Sequence, residues 1–568
     1  MARHSRRSST PASSYQGGSP PPAYTPYPNE QTPLFKPKTH EHEQPGSSEP
    51  CSSLFLGTLY LAIQLVILSL LVFFLYKILL LIVSAISAIS PHETIPTPPP
   101  IYSVAIIGAG PAGISAAQYL QRKAGGLDIR FNITLFESAP SIGGQLALND
   151  SAAGPVFPYN DRTQDPIIAE DVAGAALMWG NPLFTKASED ILGMKTEFSE
   201  LPSQQVGYFD GERIIRQTTR PYSKTPTGSW LGLCWTYGSS VWRAGAMSKE
   251  GDLRDRLADS SLESDITQLM NSLGVFEPAQ EYAHNGLDAR GIGGSYVTEI
   301  LAPQVERALS QKVPDISTLA MAISAFQEDT ANAHVGGDLL DRLEHIVAAT
   351  GATVKAATEV SGIKHEEISD DESAWLVKYD ARDASGARAE AFDKVIIAAP
   401  NFDLYRAASV DDIEAASVLT YRPAHVTFFT MPTRLGSDVF QDVEQVLFLE
   451  KQEESDSLGG IRELAFVREV VRVADDGERK VEYLYRTLSD GEATERLQQL
   501  KLEITWLYQA KLDNAYPFLY PFRRFPPFKL SEQGLWWTPA IHAIASTVDL
   551  SWLAGQIVAE EVVKDALK

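Results

Sequence analysis

Ile101-Tyr-Ser-Val-Ala-Ile-Ile-Gly-Ala-Gly-Pro-Ala-Gly113 decides how this chain folds. The first seven residues read as a buried parallel strand. The turn Gly108, Ala109, Gly110, Pro111, Ala112, Gly113 then opens a helix-like stretch from Ile114 to Lys123. A second strand, Asn132 to Glu137, ends in an acid 24 positions after Gly113. Strand, glycine turn, helix, strand and acid in this order form the dinucleotide-binding fingerprint. Each part has a physical reason. Gly108 permits the tight turn, Gly110 lets backbone approach a pyrophosphate, and Gly113 lets helix and strand pack closely. The helix N-terminus offers free N–H groups and positive dipole to phosphate. Glu137 can accept hydrogen bonds from a ribose 2′-hydroxyl and repels a 2′-phosphate.

Upstream lies a membrane signal. Leu54 to Tyr76 is an uncharged, almost wholly apolar run of 23 residues, followed by Lys77 and a second apolar stretch to Ile89. At about 1.5 Å per residue such a run spans the roughly 30 Å hydrocarbon core. It is too long and too far from the start for a signal peptide, so it reads as a signal anchor. Arg3, Arg6, Arg7, Lys36 and Lys38 precede it, and after Lys77 no Lys or Arg occurs before Arg122. The positive-inside rule then predicts a cytosolic N-terminus and a catalytic domain in the lumen of the secretory or endolysosomal system, or outside. Asn149-Asp-Ser151 is a glycosylation sequon on that side; Asn132-Ile-Thr134 is another, placed poorly in a strand. Residues 1–50, rich in Pro, Ser and Gly, read as a disordered tail. Its Pro21-Pro-Ala-Tyr24 has the PPxY form that WW domains bind, against a chance match in so Pro-rich a segment.

A net charge of −24 argues against a nucleic-acid partner, since phosphate backbones demand basic surface. Cys51 and Cys234, one on each side of the span, provide no disulfide framework, and no CxxC or HExxH metal cluster occurs. Beyond Glu137, Gly143-Gly144-Gln145 forms a second glycine pair where a loop passes close to a bound cofactor. Amphipathic helices are expected near 252–274 and 295–313, and another after Gly336-Gly337. Strands are expected at Thr353–Val360, Trp375–Asp380 and Phe392–Pro400, and a closing helix ends near Ala566. The expected fold class is α/β: a Rossmann-type nucleotide domain with an α+β substrate domain, preceded by one transmembrane helix. The divisions are a tail (1–50), an anchor (54–89), a Pro-rich linker (90–100), a nucleotide domain in two parts (101–190 and 336–400), a substrate domain in two parts (191–335 and 401–530) and a closing segment (531–568).

These segments, in this order, resemble the prenylcysteine oxidases (prenylcysteine lyases), relatives of the flavin amine oxidases. The resemblance covers about residues 101–568. Its carriers are the Gly108–Gly113 turn with Glu137 and Gly143-Gly144; Gly293-Gly-Ser295 leading to Ile300-Leu-Ala-Pro303; Gly336-Gly337 to Val360; Asp393 to Pro400; Ala515-Tyr-Pro517; and Ala540 to Ser551. The last two are more specific than the glycine turn. The chain departs from the family at Gln145, where an Arg is usual, in Glu306 to Gln311, and at His542 and Asp549, where glutamates are usual. The resemblance implies FAD held in a two-domain flavoprotein fold and a thioether reductant. Hydride passes from the S–CH2 carbon of a farnesyl- or geranylgeranyl-cysteine to flavin N5, water adds, and the hemithioacetal collapses to cysteine and a prenyl aldehyde. Dioxygen reoxidises the flavin to give hydrogen peroxide.

It further implies a cofactor site of Gly108, Ala109, Gly110, Pro111, Ala112, Gly113, Glu137, Gly144 and Gln145. Val360 meets the adenine side, Ala399 and Pro400 line the cofactor, and Ser546 lies at the ribityl–isoalloxazine end. No nucleophile is required and none is assigned. His542 and His334 are candidates for handling the water proton, since a histidine pKa lies near neutrality. Tyr516 to Phe522, Trp536 and Trp537 are candidate walls for an isoprenoid. Two other readings stay open: an oxidase of an amine or of another hydrophobic molecule, and a scaffold that retains FAD and is recruited through its PPxY tail.

Overall fold

The computed structural model describes residues 55–89, 99–146 and most of 177–568, the longest of the later breaks being 450–459. Pro21–Tyr24, Cys51, Asn149 and Gly336-Gly337 lie outside the described residues. The chain divides into two units, residues 1–97 and 98–568.

In the first unit, Phe55–Ile89 is a single 35-residue helix. The two apolar stretches of the sequence are therefore one element. Lys77 does not interrupt it, because lysine is a good helix former with a long apolar stem, and its Nζ lies 5.7 Å from the Phe73 ring centroid. Ile63–Ser84 is long and apolar enough to cross a membrane.

The second unit is built on a six-stranded sheet. Its strands, in spatial order, are Lys529–Ser531, Leu535–Trp537, Lys394–Ile397, Ile101–Ile107, Arg130–Phe136 and Thr353–Lys355. All neighbours are parallel except the edge pair Lys529–Ser531 with Leu535–Trp537. Val104 to Ile106 and Val395 to Ile397 are fully buried, as expected for strands covered on both faces. The helix Pro111–Ala124 follows the glycine turn, and Val548–Ala566 packs against it. Their contact depends on a missing side chain: a Cβ on Gly555 would lie 2.2 Å from the Ala112 carbonyl oxygen. Ser115 Oγ donates to the Trp552 carbonyl at 2.6 Å across the same contact.

Two expected strands are divided. Thr353–Val360 splits at Ala357, whose φ is +48°, into Thr353–Lys355 of the large sheet and Thr358–Ser369 of a separate four-stranded sheet. Phe392–Pro400 splits at Asp393, which takes Ser103 Oγ and N–H at 2.7 and 2.6 Å. Only Lys394–Ile397 joins the central sheet. The expected helix at 252–274 is two short ones, Arg254–Ala258 and Ile266–Ser272. That at 295–313 is a π-turn, Val297–Leu301, running into Ala302–Leu309.

A seven-stranded sheet completes the unit, in the order Trp506–Pro517, Tyr421–Met431, Arg479–Ser489, Ile461–Val473, Gln445–Phe448, Gln204–Phe209 and Ile214–Arg220. Helices between 227 and 329 share a core with it: Val206, Tyr208 and Leu447 of the sheet pack with Val241, Met247, Ile300 and Met321.

Candidate active site

A cavity of about 650 Å³ runs along the C-terminal end of the parallel strands, the usual ligand position in open α/β sheets. The glycine turn forms one side. Gly108 has φ +103°, and a Cβ there would lie 3.0 Å from Ala399 N. A Cβ on Gly113 would lie 2.0 Å from the Gly108 carbonyl oxygen and 3.3 Å from Ala398 Cβ. These contacts explain why the strand Lys394–Ile397 runs out into small residues.

Gly110 differs from both. Its φ of −80° suits any residue, and a Cβ there would meet only Gly144 Cα, at 3.8 Å. Neither backbone strain nor packing demands glycine at this position. The demand comes from whatever occupies the open side, which Gly110 faces across the cavity.

Pro111–Ala124 begins at Gly110 with no side-chain cap. Its first intrahelical bond runs from Ile114 N to Gly110 O at 3.0 Å, so the amides of Ala112 and Gly113 ahead of it have no helical acceptor. Glu137 is 7% exposed, and its carboxylate accepts Ala109 N–H and Ala139 N–H, each at 2.9 Å, one on each oxygen. That clamp fixes the acid at the cavity wall with lone pairs still available to hydroxyl donors.

Gly108, Gly110, Pro111, Ala112, Glu137, Gly144, Gln145, Val360, Ala399, Pro400 and Ser546 all line this one cavity. Ala109 and Gly113 do not; both are buried behind it and act through backbone. Gln145 lines the cavity with its amide engaged by the protein itself. Its Nε2 donates to the Asn514 carbonyl, tying the glycine loop to the strand Trp506–Pro517. Trp536 and Trp537, expected as substrate walls, are buried core of the central sheet. Of Tyr516 to Phe522, Pro517 lines the cavity. Gln311 holds this segment from behind, donating to Pro517 O and accepting Leu519 N–H, each at 2.9 Å. The side chain of His334 lies outside the described residues.

Three features were not anticipated. The N-terminus of the closing helix also reaches the cavity through Thr547, Val548 and Ser551. Thr538 lines it with a buried Oγ1 that has no hydrogen-bond partner, a polar atom that needs a ligand donor or acceptor. Tyr421 joins His542 through a 2.9 Å contact between its hydroxyl and Nδ1, and both line the cavity. Burial lowers the His542 pKa to about 4, keeping the imidazole neutral, and raises that of Tyr421. His542 was visible in the sequence as part of the Ala540–Ser551 motif, whereas Thr538 lies just ahead of it. Nothing marked Tyr421.

The orphaned hydroxyl, the open face of Gly110, two uncapped amides and the anchored Glu137 suit a dinucleotide. The cavity continues past the nucleotide half to Ala510, Leu512, Asn514 and His542, so it accommodates more than an adenosine diphosphate. Among the described residues, no cluster of His, Cys, Asp or Glu suits a metal.

Comparison with known proteins agrees. An NAD(P)-binding Rossmann-like domain matches residues 106–164, and the prenylcysteine lyase family matches residues 229–566, more than half of the chain. Two solved structures of putrescine oxidase redesigned in cofactor binding are similar in fold. For a triple mutant the TM-score is 0.51, with 14% identity over 82% of this chain and 99% of that one. For a double mutant it is 0.52, with 14% identity over 82% and 100%. No curated protein matches at a comparable level. Fold, site and family together define an FAD-dependent oxidoreductase. The chain belongs to the prenylcysteine lyase family.

Proposed function

We propose that this protein is a membrane-anchored oxidase that cleaves the thioether of a prenylated cysteine. Water and dioxygen are consumed, and cysteine, a prenyl aldehyde and hydrogen peroxide are released. The observation that carries the reading is the family match across residues 229–566, which include the walls that extend the cavity beyond its nucleotide half.

In this reading Glu137 receives the adenosine ribose, and the amides of Ala112 and Gly113 receive the pyrophosphate across the bare face of Gly110. The backbone at Val360 flanks adenine, with Ala399, Pro400 and Ser546 along the remainder. Bound FAD supplies the acceptor for the two electrons removed at the carbon beside sulfur. The chain's own groups do the rest. Neutral His542 and Tyr421 form a donor–acceptor pair at the far end, suited to orienting the water whose oxygen ends in the aldehyde. The carbon–sulfur bond breaks and the sulfur leaves as a thiol. Apolar lining from Leu512, Ala515 and Pro517 excludes bulk water, and each buried isoprenoid methylene contributes about 0.8 kcal/mol to binding. The seven-stranded sheet and the helices of 227–329 make up the substrate-binding part.

The full chain in detergent should show flavin absorbance that bleaches anaerobically with farnesylcysteine, and should release hydrogen peroxide in air. A flavin that stays oxidised with farnesylcysteine but bleaches with an amine or another hydrophobic compound would replace the substrate. The reading also places the N-terminal tail in the cytosol. Endoglycosidase-sensitive glycan at Asn149 would agree with that, and accessibility of the catalytic unit to protease in sealed microsomes would reverse it. Binding of a WW domain at Pro21–Tyr24 is a separate proposal, tested by pull-down with Tyr24→Ala as the control.

A further inference from the structure

We propose that the helical hairpin formed by Thr227–Tyr237 and Ser240–Glu250 docks on the headgroup surface of an anionic lipid bilayer, independently of the anchor helix. Its inner side is ordinary core: Leu233, Tyr237, Val241, Ala244 and Met247 are buried. Its outer side is not an ordinary surface. Trp235 is 92% exposed, Trp242 66% and Leu231 58%. Leu231 and Trp235 lie four residues apart on one helix face. The half-buried Trp230 ring stands 5.6 Å from that of Trp242, which joins the two helices into one apolar stripe. Single exposed apolar residues are common, but a contiguous stripe with two large indoles marks an interaction surface.

Charge identifies the occupant. Between Glu212 and Glu250 the sequence holds six Lys or Arg and no Asp or Glu, in a chain of net charge −24. Lys224, Arg243 and Lys249 of this stretch are exposed. Indole rings on one face beside cations on a short helix are the composition of an interfacial helix, with Trp at the headgroup level and cations against anionic lipid. A bilayer is an available partner, because the same chain carries a helix able to cross one. A second copy of this acidic protein would bring its own cationic stripe against this one, which disfavours self-association through this face.

Intrinsic fluorescence tests the proposal in the intact protein. The chain has nine tryptophans and none lies between Leu54 and Ile89, so the anchor contributes no signal. The full-length protein is reconstituted into vesicles of phosphatidylcholine with brominated acyl chains, with or without phosphatidylserine. We expect quenching that increases with phosphatidylserine and falls by more than about half in Leu231→Ser/Trp235→Ser. Lys224→Glu/Lys249→Glu should remove only the phosphatidylserine-dependent part. Unchanged thermal unfolding shows that both variants fold. Absent quenching, or quenching undiminished in the serine variant, would overturn the proposal. So would a dimer in detergent that becomes monomeric with Trp235→Ser, which would assign the stripe to a second copy.

Discussion

The parallel sheet around Ile101–Ile107 and the seven-stranded sheet around Tyr421–Met431 bury their strands by opposite chemistry. The first is filled by Val, Ile, Ala and Trp, and the buried acid at its edge, Glu137, is held by two backbone amides. The second carries ions inside. Glu463 is fully buried on its strand, 3.1 Å from Arg486 and bonded by Gln445. Burial alone would push its carboxyl up, but Arg486 and Arg307, with the Gln445 bond, hold it below the usual range. Arg307 pairs with the buried Glu328, which Arg220 approaches at 3.8 Å. A nucleotide scaffold is thus specified by shape and backbone donors, whereas the region beside it relies on compensating charges.

Substitutions in the two regions should therefore fail for different reasons. The largest effect is expected at Gly113. An alanine Cβ 2.0 Å from a carbonyl oxygen forces the turn apart, so Gly113→Ala should cost more than about 4 kcal/mol. A soluble variant with unchanged unfolding in urea would show that the helix and strand are less closely packed than described.

In the other sheet, Glu463→Ala should cost about 3–5 kcal/mol by leaving Arg486 buried without its partner. Replacing both, as Glu463→Leu/Arg486→Met, should recover most of that loss, because an apolar pair carries no desolvation penalty. Equal costs for the single and double variants would remove the contrast between the sheets.

A smaller effect depends on pH. His542 has a folded pKa of about 4 against an ordinary 6.5. Between these values the unfolded chain takes up a proton that the folded chain does not. Its contribution is complete above about pH 6.5 and is lost as pH falls toward 4, at most about 3 kcal/mol because the ring borders the cavity. Asp549, which burial raises to about 7 from 3.8, acts in the other direction: its contribution is present below about pH 4 and lost as pH rises through 7. Denaturant unfolding without flavin from pH 4.5 to 7.5 separates them. His542→Phe should become less stable toward pH 7.5 relative to the unsubstituted protein, and Asp549→Asn more stable. Variants that track the unsubstituted protein at every pH would contradict both assignments.

The smallest effect on stability is expected at Gly110. Its backbone conformation suits any residue and the space is open, so Gly110→Ala should change unfolding by less than about 1 kcal/mol.

The difference between the two sheets also explains what the sequence made legible. Gly108, Gly113 and Glu137 act within one local unit, so spacing alone located them; Ala399 and Ser546, hundreds of residues further on, came from the family resemblance, and both line the same cavity as Gly108 and Glu137. The break at Ala357 was missed because Thr353-Val354 and Thr358–Val360 favour a strand on either side of it; the weak strand formers Lys355-Ala356-Ala357 lie where the two sheets part. Trp536 and Trp537 suggested an apolar wall, but they sit on a central strand where aromatic residues fill core. Glu463, Arg486 and Tyr421 were illegible for a further reason. On a strand, a charged or hydroxyl residue at alternate positions reads as the solvent face. Here Glu463 meets Arg486 on a neighbouring strand, and both Arg307, which acts on Glu463, and His542, the partner of Tyr421, lie more than a hundred residues away, which no local pattern announces.

The central claim is that Gly110 is glycine for the sake of a dinucleotide lying across it. The direct measurement is FAD binding, followed by flavin absorbance and fluorescence, to Gly110→Val compared with the unsubstituted protein under conditions where both unfold at similar temperature. The account predicts a folded valine variant that emerges colourless and takes up no added FAD, beside an unsubstituted protein that is yellow. A valine variant that retains flavin at full stoichiometry would contradict it.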